Sequence, residues 1–95
     1  MKRTLPAIEL LENTHDFPCV YMFKVIGRSD NGFVARVVAA VRDELDDLID
    51  PPYRVRETAG GRYVSVTLEP TVQTGQQVLD VYRRMQKMAG LVMLL

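Results

Sequence analysis

A single cysteine, Cys19, is all the thiol chemistry this chain of 95 residues has. That excludes an internal disulfide and a thiol-rich metal site, and at a strand start the residue reads as a small packing group rather than a nucleophile. Histidine is equally scarce. His15 lies beside Asp16 in a polar segment with no second histidine and no patterned nucleophile, so it reads as a solvated loop residue. Neither sign of charge is in excess: 12 basic side chains against 12 acidic ones leave a net charge of zero. The bulk field that would hold a nucleic acid or an anionic membrane is therefore missing. Long apolar runs are missing too. The closing "GLVMLL" is far too short to span a bilayer, and the first residues carry no apolar stretch of a signal peptide. The expected compartment is a reducing cytoplasm, and the length suits one compact core.

What is present is periodicity. Residues 1–16 hold a short apolar pattern, "LPAIELLEN", with Pro6 suited to a first helical turn, and are expected to form an N-terminal extension with a brief helix. The domain proper is expected over 17–95. "CVYMFKVIG" is too short and too rich in β-branched and aromatic residues for a helix, and predicts a first strand over 19–26. After the polar "RSDNG", with Asp30 or Ser29 placed to cap, apolar residues recur at helical spacing from Phe33 through Val41, Leu45 and Leu48. They predict a helix over 31–48, stopped by Asp50, Pro51 and Pro52. "YRVRETA" and "RYVSVTLEP" both alternate, and "AGG" between them supplies residues for a tight turn, so the pair predicts a hairpin. Thr74 and Gln77 have the spacing of a capping box before a second amphipathic helix, with Gly90 as its stop and "LVMLL" as a buried last strand.

The order βαββαβ predicts an α+β, ferredoxin-like sandwich: a four-stranded antiparallel sheet with two helices on one face and the first and third strands central. Alternation then places Tyr21, Phe23, Val25, Val64, Val66 and Leu68 under the helices. Val20, Met22, Lys24, Ile26, Tyr63, Ser65 and Thr67 fall on the open face, with Val92 and Leu94 of the last strand beside them.

Tested for chemistry, these elements yield little. RNA-reading sheets of this topology stack bases on aromatic residues of both central strands. Here Ser65, Met22 and Lys24 stand where rings are needed, so no nucleic-acid partner is expected. "GRSDNG" lacks the lysine and hydroxyl residue of a P-loop, and Asp30 would repel phosphate. Arg28 stands where acylphosphatases of this fold keep a working arginine, but no strand asparagine accompanies it. The carboxylates of "DELDDLID" read as a solvated helix face, so no metal or cofactor is implied. Arg54 and Arg56 alternate on an expected edge strand, where charge discourages aggregation. With Lys24 and Glu69 they would also rim an apolar sheet face, which is what a partner surface looks like.

Four separated stretches, "FPCVYMFKVIG", "GGRYVSVTL", "TGQQVLDVYRRM" and "GLVMLL", resemble in that order the YbeD-like family of small bacterial proteins. The resemblance implies a ferredoxin-like fold similar to the ACT regulatory domains of biosynthetic enzymes, and no known function. ACT domains hold an amino acid near the loop after the first strand, which by position makes Gly27, Arg28 and Gly32 candidate ligand-binding residues. Members are also described as lipoate-binding regulators. The lysine-bearing hairpin that accepts lipoate on carrier domains has no counterpart here, since Lys24 lies mid-strand. The expected function is therefore a non-catalytic regulatory or protein-interaction module working through its open sheet face, on a protein partner or a second copy. The alternative is an ACT-type sensor of an amino acid or a lipoate-related ligand.

Overall fold

The computed structural model describes residues 5–58 and 60–95. In chain order the elements are α1 (Ile8–Thr14), β1 (Cys19–Val20), β2 (Phe23–Arg28), α2 (Phe33–Glu44), β3 (Tyr53–Glu57), β4 (Tyr63–Leu68), β5 (Thr71–Val72), α3 (Gly75–Gln86) and β6 (Leu91–Leu94). The chain is thus a mixed α+β protein with three helices and two antiparallel sheets. The larger sheet runs β3-β4-β2-β6, which puts β2 and β4 in the middle, and the smaller pairs β1 with β5.

The two sheets are one ribbon interrupted by a proline. Phe23 pairs with Leu68 and Cys19 with Val72, so each step along one strand is matched by one step back along the other, without a slip. Between them Tyr21 donates its amide to the Pro70 carbonyl at 3.0 Å. Pro70 has no amide to return, and the ladder breaks there. The strand expected over 19–26 accordingly appears as two pieces, and its second piece runs on to Arg28.

Sidedness follows the pleat. Phe23 and Val25 of β2 and Val64, Val66 and Leu68 of β4 are buried, with Phe33, Val37, Val41, Val78, Val81 and Met85 from α2 and α3 in the same cluster. Fully burying each such side chain stabilises the fold by roughly 1.5–3 kcal/mol. Leu11 of α1 is 3% exposed and joins that cluster, while Phe23 meets Tyr82 edge-on with ring centroids 5.2 Å apart. His15 is half-buried rather than solvated. Its Nδ1 lies 3.2 Å from the Leu11 carbonyl and its ring 5.2 Å from that of Tyr21, so the helix end and the aromatic cluster hold it in place. Pro6 precedes Ala7, the N-cap of α1, instead of sitting in the first turn.

The starts of both longer helices and the end of α2 trace to particular residues. Thr74 accepts from the Gln77 amide at 3.2 Å, as a capping box requires. Gln77 returns its bond one residue early, taking the Gln73 amide at 2.7 Å. The Gly75 amide donates at 3.2 Å to Glu12 of α1, so a second helix helps cap this one. Neither Ser29 nor Asp30 caps α2 with its side chain. Gly32, at φ 65°, is its N-cap, and the Ser29 hydroxyl donates to the Gly61 carbonyl instead. The helix also ends sooner than its apolar spacing suggests. Asp46 adopts a positive φ of 56°, which turns the chain away, and Leu48 is 99% exposed where an inward leucine was expected. Gly60 and Gly61, at φ 85° and 66°, make the turn between β3 and β4.

Candidate functional site

The open face of the larger sheet is built from the residues between the buried ones. Lys24 lies opposite Thr67, which lies opposite Arg54; Ile26 lies opposite Ser65, which lies opposite Arg56; and Arg28 lies opposite Tyr63. The first two rows therefore end on a cation at β3. On the other side Met93 of β6 pairs with Ile26, and Val20 and Met22 prolong the same face beyond the Pro70 break, both exposed. The face grades from methyl and thioether groups on β2 and β6, with Lys24 among them on β2, to Arg54 and Arg56 on β3. Tyr63, Ser65 and Thr67 form its half-buried middle.

One residue of the expected face lies elsewhere. Leu94 pairs with Val25 and is 4% exposed, inside the core. The register of β6 shifts by one residue between Gly27 and Ile26, leaving Val92 as the extra residue of a bulge. The bulge resets the alternation. Val92 and Met93 are both exposed as a result, 54% and 47%, and Met93 takes the place expected of Leu94. Strict alternation across "LVMLL" could not reveal this, because nothing in five apolar residues marks a bulge. The last strand is correspondingly a half-exposed edge rather than a buried strand.

At the loop expected to serve a small ligand, the space beside Gly27 is taken by the protein itself. A Cβ on Gly27 would stand 2.2 Å from the Phe33 ring, so the glycine is needed to seat that phenylalanine. Arg36 crosses the loop end, donating to the Asn31 and Ala89 carbonyls at 2.9 Å each. Arg28 points to solvent with Asp30, 3.7 Å away. Of the three, Gly32 borders a cleft of about 390 Å³ between α2 and β3. Its other walls include Phe33, Val34, Tyr53 and Val55. The acidic segment has a structural use as well. Arg42 donates to Asp43 at 3.1 Å and to Asp50 at 2.9 Å, bonds that raise its guanidinium above its ordinary pKa, Asp43 contributing most. Cys19 is a free, half-buried thiol against the core. No helix of the described residues is long and apolar enough to cross a membrane.

A family profile described as "Protein of unknown function (DUF493)" matches residues 12–95. Curated relatives agree with it. The chain is similar to a UPF0250 protein of Chromobacterium violaceum, 31% identical over 67 residues that cover 70% of this chain and 75% of that protein. It is 27% identical over 84 residues to a UPF0250 protein of Nitrosomonas europaea, covering 88% of this chain and 97% of the relative. A UPF0250 protein of Shewanella woodyi is 34% identical over 67 residues, 70% of this chain and 74% of its own.

Proposed function

Because the chain belongs to this family of small bacterial proteins of unknown function, the YbeD-like family, we propose its role from its surface: it is a non-catalytic regulatory module that receives a protein partner on its open sheet face. The observation that carries this reading is the uncovered apolar side of that face. Val20, Met22, Val92 and Met93 are all exposed beside a row of cations, and a contiguous apolar area with a charged rim is typical of a surface that another protein buries. Both long helices contribute to the core on the buried side of the same sheet, as a ferredoxin-like sandwich would have them, and that leaves the other side free to bind. An ACT-type sensor is less well supported, since Phe33 occupies the space beside Gly27.

The reading is tested by crosslinking pull-down from native lysate with the parent protein, Met93→Asp and, as a control on another surface, Leu48→Asp. Partner recovery should fall for Met93→Asp and persist for Leu48→Asp, with all three proteins melting alike. Equal recovery by all three would remove the open face from the account. A melting temperature raised by a single amino acid or by lipoate would favour the sensor instead, by the mass-action stabilisation of a native-state ligand.

A further inference from the structure

The edge strand β3 carries unused recognition chemistry in three directions. All five of its residues are exposed, and among the described residues β4 is its only strand neighbour. At its two ends the Pro52 carbonyl accepts from the Glu69 amide at 2.9 Å, and the Thr58 amide donates to the Tyr63 carbonyl at 3.0 Å. Antiparallel ladder bonds alternate along a strand, so Arg54 and Arg56 also turn their backbone groups toward β4. Tyr53, Val55 and Glu57 therefore direct theirs out of the sheet, where a further strand would find them.

The side chains divide the other way. Tyr53 and Val55 stand on the helix side, where they line the 390 Å³ cleft with Phe33, Val34 and Val64. Arg54 and Arg56 stand on the open side, where with Lys24, Ser65 and Thr67 they line a second cleft of about 400 Å³. One edge thus separates a largely apolar cleft, to whose lining Ser29 and Glu57 also contribute, from a basic one. Arg54 holds Glu69 at 2.8 Å, while among the described residues Lys24 and Arg56 form no ion pair.

Building on the interaction-module reading, we propose that β3 accepts an added strand from another protein, an extended segment in which acidic residues alternate with apolar ones. Successive side chains of such a segment enter opposite faces of the sheet. Its apolar residues lie over Tyr53 and Val55, and its carboxylates meet Arg54 and Arg56. A second copy of this chain is a poor occupant of the edge. Two-fold pairing centred on Arg54, Val55 or Arg56 sets an arginine opposite an arginine, and like charges directly opposed across strands destabilise the pair.

The test uses the intact protein at physiological salt with a short synthetic peptide alternating glutamate and valine. Its comparators are a shuffled peptide of the same composition, a lysine–valine alternating peptide and a single-stranded oligonucleotide. The alternating acidic peptide should bind and should slow hydrogen exchange at the Tyr53, Val55 and Glu57 amides. Arg56→Glu should weaken it about tenfold, the scale of a lost charge-assisted hydrogen bond. Doubly reversed Arg54→Glu/Arg56→Glu protein should prefer the lysine peptide, which shows that the variant still folds. Equal binding of the shuffled peptide, tighter binding of the oligonucleotide, or protection of the β3 amides by self-association alone would overturn the proposal. Peptide binding that perturbs Ile26 and Met93 while leaving the β3 amides unprotected would overturn edge docking and leave the open-face reading standing.

Discussion

The residue that most repays attention is Gly27, because its reason for being glycine lies in the core. The Phe33 ring sits where a Cβ would project, with three ring atoms within 2.5 Å of it. Gly27→Ala should cost about 1–3 kcal/mol in urea unfolding, the usual range for over-packing. Shortening the ring with Phe33→Leu should recover part of that, so the double variant should lose less than the two single losses summed. Additive losses would show that ring and glycine do not compete. Leu48→Ser, at the other extreme of exposure, should change stability by less than about 0.5 kcal/mol. The sequence points to Gly27 as a notable residue without giving the reason, since a glycine after a strand suits a ligand's approach as well as a ring's. Which one applies depends on Phe33, whose helical spacing shows that it faces inward but not what it touches.

Among the elements, the hairpin was the most legible and the last strand the least. Two alternating runs around "AGG" define β3, β4 and the turn, and Gly60 and Gly61 both take positive φ. Among the described residues, chain neighbours aside, nothing lies within 4 Å of where a Cβ at Gly60 would stand, and at Gly61 only a Glu57 oxygen does, at 3.8 Å. Replacing either by valine should therefore cost about 1 kcal/mol or more through backbone strain alone. Unchanged melting temperatures for both would contradict this. The cap on α3 is similarly exposed to test. Thr74→Ala should lose about 1 kcal/mol, and Glu12→Ala should destabilise α3 although it sits on a different helix. That contact joins residues too far apart in the chain for any local pattern to reveal it. The early end of α2 and the bulge in β6 escaped for a related reason. Apolar periodicity records which residues can be buried, whereas a single left-handed residue at Asp46 or one extra residue at Val92 decides which ones are.

At the scale of the molecule, the two faces of the sheet should respond differently to truncation. Val66→Ala should open a cavity beneath the helices and cost roughly 1–3 kcal/mol. Tyr63→Ala, on the half-buried middle of the open face, should cost less in stability and more in partner binding. The alternation of β4 was enough to sort those two residues. Neither the grading of the open face from apolar to basic nor the clefts flanking β3 could be read that way, because both depend on which strands lie side by side. The central claim, that the open face is where another protein binds, is tested most directly by labelling isoleucine and methionine methyl groups and recording their NMR signals in buffer and in native bacterial lysate. The account predicts that Met22, Ile26 and Met93 broaden in lysate, while Ile8 and Ile49, exposed on other surfaces, stay sharp. Broadening as strong at Ile8 and Ile49, or none at Met22, Ile26 and Met93, would contradict it.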